Sequence, residues 1–281
     1  MNHAKLVRAA LPAAVLLLLP ACRSLIREER LGCPSQLQFQ VLNPEQVPPT
    51  EEVLVHALGD ASSQPLATAS APLPELADGS FRLRVPKLPQ VEVYGGLGLR
   101  NGHEQGHAWV VDAGEDGAPL FRFWSRLPTL DDTALVPVEF TKEYCRITVW
   151  IVPFEEGGED CPVRITARAH TAGIDLESGQ PVAGIYRYSP EERAPGLFSF
   201  IVPRQADESL TLELTPKRPG ENPLPENLGS LLLWPYLSRS DGFSWQLRNL
   251  PDADIELDIR RSEVQVSLTE WISGEEMTFD F

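Results

Sequence analysis

Basic residues, cysteines and long apolar runs are all scarce in this sequence. Lys and Arg together number 24 against 40 Asp and Glu, which gives a formal net charge of -16, and only four of the basic residues are lysine. A chain this acidic has no basic stripe with which to neutralise phosphates, so we expect neither DNA nor RNA as a partner. The sequence also has no Gly-rich phosphate loop with a lysine and no G-x-S-x-G nucleophile motif.

Apolar residues are nevertheless plentiful enough for packed domains. They make up 42% of the 281 positions, so a core can form without a disulfide or metal scaffold. At about 150 residues per domain, this length predicts two domains. Beyond the N-terminal segment, no apolar run approaches the length of about 18 residues that a membrane-spanning helix needs.

The N-terminal segment has the features of an export signal. Lys5 and Arg8 form a positively charged region, and residues 11–19 form an apolar run. A run of about nine residues is too short to span a bilayer, but it is the length of a signal-peptide core. We therefore expect the protein to be exported.

The end of this signal resembles a bacterial lipobox. Residues 19–22 read Leu-Pro-Ala-Cys, where an ordinary signal would end in small residues alone. We predict a signal peptide over 1–21, a lipidated Cys22 as the new N-terminus and a tether over 22–32. Several acyl chains, at about 0.8 kcal/mol per buried CH₂, make a stable anchor. The alternative is plain secretion after cleavage near Ala21.

Three cysteines remain if Cys22 carries lipid. An odd number permits at most one internal disulfide. Cys145 and Cys161 flank a predicted hairpin around residues 155–160, and a symmetric turn would not place them opposite each other. We therefore expect Cys33, Cys145 and Cys161 to be reduced and mostly buried.

Short runs of β-forming residues, separated by Pro, Gly and Asp, recur along the chain. The 26 prolines and 20 glycines are spread throughout, which suits turns and leaves little room for helices. Only residues 229–238 could be helical. Eleven strands are predicted, over residues 36–42, 52–58, 81–85, 91–99, 144–152, 163–170, 197–202, 210–214, 243–247, 255–259 and 264–271.

Strands of this length and spacing are typical of β-sandwiches. Residues 125–137 show no clean alternation and contain two prolines, so we expect the domain boundary there. The predicted fold is all-β, with an N-terminal sandwich over 33–135 and a C-terminal sandwich over 138–281.

One segment matches the zinc-protease motif H-E-x-x-H. In that motif His103 and His107 would share a helical face and bind Zn²⁺, while Glu104 would activate the attacking water. A helix is required, yet Gly106 costs a helix about 1 kcal/mol, and strand-like runs flank the segment. We expect residues 103–107 to form a hairpin loop and to bind no metal. A zinc peptidase remains the alternative.

Other candidate ligands have simpler interpretations. Asp252, Asp254, Glu256 and Asp258 alternate with apolar residues, as in a strand with one solvated acidic face, although calcium binding is an alternative. We expect His56 and His170, each in a predicted strand, to be ordinary strand residues. The six tryptophans could include a platform for glycans, but most are expected in the core: Trp109, Trp124, Trp150, Trp234, Trp245 and Trp271.

Four segments resemble one known family. They are residues 25–34 (LIREERLGCP) followed by the strand 36–42, residues 83–96 (LRVPKLPQVEVYGG), residues 136–152 (VPVEFTKEYCRITVWIV) and residues 264–271 (VQVSLTEW). Together they resemble the FimB-like family of fimbrillin-associated anchor lipoproteins of Bacteroidetes.

The resemblance implies two tandem transthyretin-like β-sandwiches, a lipid in the outer membrane, no enzymatic activity and no cofactor. It also implies a place at the base of a surface pilus, with fimbrial subunits as partners. Glu28 and Glu29 resemble the acidic signal that sends such lipoproteins to the cell surface, although Arg27 and Arg30 interleave with them. The alternative function is a surface lipoprotein that binds glycans or host proteins.

Family pili assemble by strand exchange, in which one subunit supplies a β-strand to its neighbour. An unpaired sheet edge can accept such a strand through main-chain hydrogen bonds. The candidate exchanging elements here are the terminal strands 36–42 and 276–281. In the second of these, Met277, Phe279 and Phe281 would share one face.

Overall fold

The computed structural model describes residues 33–49, 51–59, 64–152, 161–217, 229–240, 242–259, 261 and 263–269. Within these ranges the regular secondary structure is almost all β-strand, and the sheets pack as sandwich-like domains, which confirms the predicted all-β fold. None of the helices in the described ranges is long and apolar enough to cross a membrane.

The first half of the described chain forms one sandwich and an additional hairpin. A three-stranded sheet has the order β4-β1-β9, and a five-stranded sheet has the order β10-β8-β5-β2-β3. The elements are β1 (Ser35–Val41), a 3-10 helix (Pro44–Gln46), β2 (Glu52–Gly59), β3 (Ala67–Pro72), α1 (Leu73–Ala77), β4 (Arg82–Val85), β5 (Val91–Leu97), β6 (Gly102–Gln105), β7 (Ala108–Val111), β8 (Phe121–Leu127), β9 (Thr133–Val138) and β10 (Thr141–Lys142).

Alternation along the strands supplies the core of this sandwich. In β1, Leu37 and Phe39 are buried between outward-facing glutamines, and in β2, Val53 and Val55 are fully buried. All four belong to one apolar cluster between the two sheets. Because burying each such side chain contributes about 1.5–3 kcal/mol, the alternation fixes which face of each strand points inward.

The second half forms the other sandwich. One sheet has the order β14-β15-β11-β18-β19, and the other has the order β17-β16-β12-β7-β6, with β13 also paired to β12. The elements are β11 (Tyr144–Val152), β12 (Val163–Asp175), β13 (Pro181–Tyr188), β14 (Glu192–Ala194), β15 (Leu197–Pro203), β16 (Thr211–Pro216), β17 (Ser230–Leu232), α2 (Trp234–Leu237), β18 (Asp252–Asp258) and β19 (Glu263–Thr269).

The two sandwiches share main-chain pairing. The β6–β7 hairpin comes from the first half of the sequence, yet β7 pairs with β12 in a sheet of the second sandwich. A Cβ atom on Gly173 would lie 2.3 Å from the carbonyl oxygen of Trp109, so glycine permits this close approach. The N–H of Gly117 also donates to the carbonyl oxygen of Ile201 at 3.0 Å. The predicted domain ranges 33–135 and 138–281 did not include this pairing, in which a hairpin from the first range joins a sheet of the second sandwich.

Residues 125–137 are not the strand-free segment that we expected. They contain the end of β8 and most of β9, which runs parallel to β1. Ala134 and Val136 point into the core, whereas Leu135 between them is 55% exposed. An apolar residue on the solvent face hid the alternation from the sequence pattern. The strands of the first sandwich therefore continue to Lys142.

Three other local predictions were wrong or incomplete. The helix predicted over 229–238 is confined to α2, and α1 was missed. Residues 243–247 form turns instead of a strand, although Trp245 packs in the core. Strands β3, β8, β13, β14 and β17 were also missed. In β3 and β13, small residues or exposed apolar residues weaken the period-two pattern.

The hairpin predicted around residues 155–160 is also wrong. Strands β11 and β12 belong to different sheets, so they do not pair with each other as a hairpin. Strand β11 pairs instead with β15, where Cys145 lies opposite Val202. The cysteines of the described residues are free; Cys145 and Cys161 are buried, as expected, whereas Cys33 is exposed. Burial raises the pKa of the Cys145 thiol, which therefore stays protonated.

Candidate functional site

The predicted lipidation and strand-exchange residues cannot be placed. Cys22, Met277, Phe279 and Phe281 all lie outside the described residues, so their roles stay predictions. The structure does describe the other terminal strand and the strand that leads towards the C-terminal segment.

The N-terminal candidate for exchange is already part of this chain's own sandwich. Strand β1 lies between β4 and β9 and pairs with both. Its Leu37 is fully buried and its Phe39 is 2% exposed. Donating this strand to another subunit would remove both side chains from the core, so the pairing disfavours residues 36–42 as the exchanging element.

The C-terminal candidate follows a sheet edge. Strand β19 pairs along its whole length with β18, from Asp252 opposite Thr269 to Asp258 opposite Glu263. In the part of the chain that the structure describes, its other edge pairs with no strand. The face with Val264, Val266 and Leu268 is only partly buried against the core of the second sandwich. Residues 276–281 lie shortly after this edge in the sequence.

The zinc-protease motif forms a β-hairpin, as we expected. His103 and Glu104 lie in β6, and Gly106 takes the turn with a φ of 67°. Consecutive strand residues point to opposite faces, so the motif lacks the shared helical face that its zinc chemistry needs. His103 Nδ1 lies 2.6 Å from Asp112 Oδ1, on the exposed surface.

The other residues of the motif brace the hairpin against the first sandwich. His107 Nδ1 lies 2.5 Å from the hydroxyl oxygen of Tyr94, and Glu104 Oε1 lies 3.0 Å from His56 Nε2. The rings of His56 and Tyr94 stack with centroids 5.1 Å apart. Burial, and then the charge of Glu177, raises the pKa of Tyr94, so its hydroxyl stays protonated. His56 is therefore a partnered strand residue.

The acidic strand is β18, and the carboxylates of Asp252 and Asp258 have hydrogen-bond partners within the protein. Asp252 Oδ1 accepts from Lys142 Nζ at 2.6 Å and from the N–H of Arg146 at 2.7 Å. Asp258 Oδ1 accepts from the N–H of Arg261 at 3.0 Å. Across the described ranges, no three His, Cys, Asp or Glu side chains gather as a metal site. The face is a solvated surface with local hydrogen bonds.

The sequence did not reveal a buried ionic group between the sandwiches. Arg204 Nε donates to Glu143 Oε2 at 2.5 Å, and Arg122 Nε donates to the other carboxylate oxygen at 3.2 Å. Glu143 is 3% exposed and Arg204 is 7% exposed. Arg122 comes from β8 and Arg204 follows β15, so Glu143 joins the two halves. The available sequence signal was the position of two adjacent charged residues, Lys142 and Glu143, directly before an apolar strand.

The tryptophans do not form one aromatic cluster. Trp245 is buried, and Trp271 lies outside the described residues. Trp124 is 46% exposed on β8 of the first sandwich, and Trp150 is 42% exposed on β11 of the second. Trp124 lines a groove at the junction of the two sandwiches.

Several solved structures from Bacteroidetes share this fold. The fimbrial anchor protein Mfa2 of Porphyromonas gingivalis is 12% identical to the chain, and the match covers 83% of this chain and 95% of Mfa2 with a TM-score of 0.56. This chain has the fold of a fimbrial anchor protein. The resemblance seen in the sequence is thereby confirmed at the level of the fold.

Other proteins share the fimbrial-anchor fold. A candidate adhesin of Bacteroides ovatus is 16% identical, with 85% of this chain and 94% of the adhesin covered and a TM-score of 0.59. A candidate polysaccharide-binding protein of Bacteroides thetaiotaomicron is 11% identical, with 87% and 99% covered and a TM-score of 0.59. No protein-family model matches the sequence, and no curated protein matches it either.

Proposed function

We propose that this protein is a lipid-anchored, non-enzymatic structural subunit at the base of a surface pilus, or accessory to it. The observation that carries the proposal is the fold shared with a fimbrial anchor protein over 83% of the chain. The partners are other fimbrial subunits, and the location is the outer face of the outer membrane.

The N-terminal sequence supports the lipid anchor. The apolar run over 11–19 and the lipobox-like residues 19–22 together supply an export signal and a lipidation site at Cys22. Residues 22–32 then separate the lipid from β1, the first described strand. Glu28 and Glu29 in this tether support display at the cell surface.

The sheet edges support assembly by strand exchange through the C-terminal segment. Strand β1 is held on both sides, whereas β19 stands at the end of its sheet with a half-covered apolar face. Residues 276–281 alternate apolar and polar side chains, as a donated strand requires. We expect Met277, Phe279 and Phe281 to fill a hydrophobic groove of the partner.

Purification of the native protein from crosslinked cells tests the proposal. We expect fimbrial subunits to co-purify with the lipidated protein, and we expect pili to detach from cells that lack it. A protein that fractionates with the outer membrane but crosslinks to no fimbrial subunit, in cells that keep their pili, would contradict the proposal.

A further inference from the structure

A groove of about 530 Å³ opens at the junction of the two sandwiches. We call it the junction groove and define it by Glu92, Trp124, Glu139, Glu177, Ser178 and Arg248. Its volume falls within the range of about 300–1,000 Å³ that is typical of small-molecule sites. The pilus role described above does not use it.

Trp124 gives the groove a flat apolar surface. Its neighbour across the sheet is Tyr94, which is buried beneath the β6–β7 hairpin, whereas Trp124 itself is 46% exposed. A large indole that stays exposed on an otherwise polar strand face does not contribute the free energy that its burial would provide. Such a ring is available to stack against the apolar face of a ligand.

The polar groups around Trp124 have partners within the protein, and Arg122 is the most firmly held of them. Arg248 Nη2 lies 2.6 Å from Glu139 Oε2 on one side. On another side, Arg122 is held by Glu143 and by the carbonyl oxygens of Leu176 and Glu177, at 3.4 Å each. Arg122, whose side chain is 17% exposed, is therefore already positioned, which lowers the entropy cost of ordering it on binding.

The charges of the groove narrow the chemistry of its ligand. Three carboxylates line it against two guanidinium groups, on a protein of net charge -16, which disfavours anions. A cationic ligand is also disfavoured, because Glu139 is paired with Arg248 and Glu92 is paired with Arg126 at 3.2 Å. Glu177 Oε2 lies 3.9 Å from His107 Nδ1, so the third carboxylate also has a basic neighbour within the protein.

We propose that the junction groove binds a neutral oligosaccharide, with one sugar ring stacked on Trp124. Carboxylates and the Ser178 hydroxyl accept hydrogen bonds from sugar hydroxyls, and the guanidinium group of Arg248 donates to them. A sugar combines a flat C–H face with hydroxyl groups at its rim, which matches an indole surrounded by donors and acceptors. This binding site is independent of pilus assembly.

The test is isothermal titration calorimetry on the purified full-length protein with separate ligands. The probes are mannotetraose, cellotetraose and tetra-N-acetylchitotetraose, with trigalacturonate and tetralysine as charged comparisons. Trp150→Ala is the matched control for Trp124→Ala, because Trp150 has similar exposure but lies outside the groove. Thermal melts of both variants verify that they are folded.

We expect at least one neutral tetrasaccharide to bind, with little dependence on salt. Trp124→Ala should weaken that binding by about tenfold or more, and Trp150→Ala should leave it unchanged. The proposal is overturned if no neutral probe binds at millimolar concentration, or if folded Trp124→Ala binds as tightly as the native protein. Salt-sensitive binding of tetralysine or trigalacturonate alone would also overturn it.

Discussion

Lys142 Nζ lies 2.6 Å from Asp252 Oδ1, and the lysine side chain is fully buried. The ammonium group also donates to the carbonyl oxygen of Leu250 at 2.9 Å and lies 4.5 Å from the ring centroid of Tyr144. Lys142 ends β10 and Asp252 begins β18, so the pair joins the last strand of the first sandwich to the second sandwich.

The two members of this pair are not equivalent, because Asp252 is 31% exposed. Asp252→Ala leaves a buried cation without its counter-ion, and we expect it to lower the free energy of unfolding by about 3–5 kcal/mol. Lys142→Met removes the cation and keeps most of the apolar stem, while water can still solvate Asp252. We expect its loss to be clearly smaller, as measured by urea denaturation.

Asp254→Ala is the matched control for this comparison, because Asp254 lies two residues along the same face of β18. Among the described residues, its carboxylate accepts a hydrogen bond from the Thr269 hydroxyl, at 3.4 Å. We expect a loss below about 1 kcal/mol, as is usual for an exposed polar contact. Equal losses for Asp252→Ala and Lys142→Met would contradict the asymmetry.

The two histidines of the H-E-x-x-H segment should respond differently to substitution. His103 is 59% exposed and contacts only an exposed aspartate, so His103→Ala should leave the melting temperature unchanged. His107→Ala leaves the buried Tyr94 hydroxyl without its partner, so we expect a loss of about 1–3 kcal/mol in the free energy of unfolding.

Metal analysis complements this comparison. The purified protein should contain no stoichiometric zinc, because the segment forms a hairpin instead of a helix. One zinc ion per chain that disappears in His103→Ala would contradict this interpretation and restore the peptidase alternative.

Several strands with a period of two could be predicted from the sequence. Contacts between residues that are far apart in the sequence could not. In β1 the apolar and polar residues alternate, so its existence and its inward face were evident. In β9 the exposed Leu135 broke the pattern, and a solvent-facing apolar residue cannot be recognised without knowing the partner sheet.

The ionic group between the sandwiches shows the same limit. Glu143 contacts Arg204, which is 61 residues away, and Lys142 contacts Asp252, which is 110 residues away. A charged residue in the sequence is ordinarily expected at the surface. Only the topology, which brings β8, β10 and β18 together, explains why these charges are buried as pairs. The junction groove depends on the same topology.

Membrane attachment should depend on Cys22 alone. Cys22→Ala removes the predicted lipidation site, and we expect the protein to be released from the membrane fraction. The measurement is fractionation of cells after a high-salt wash, with the native protein as the comparison. Cys33→Ala, which alters a nearby exposed thiol, should leave the protein in the membrane fraction. A Cys22→Ala protein that still pellets with outer membranes would contradict the anchor.

The last prediction concerns the C-terminal segment. If residues 276–281 are donated to a partner, Phe279 must be buried in the partner's groove, which contributes about 1.5–3 kcal/mol. Phe279→Asp should then disturb pilus attachment or length, and Thr278→Asp on the opposite face should not. The measurements are pilus retention on cells and the thermal melt of each isolated variant.

The melt separates donation from a role within this chain. Strand β19 has a free edge among the described residues, so the segment could instead complete its own sandwich. In that case Phe279→Asp would lower the melting temperature of the isolated protein, because a core side chain is lost. Donation predicts an unchanged melt with defective pili. Normal pili together with a normal melt would eliminate both roles, and β19 would then be the true end of the second sandwich.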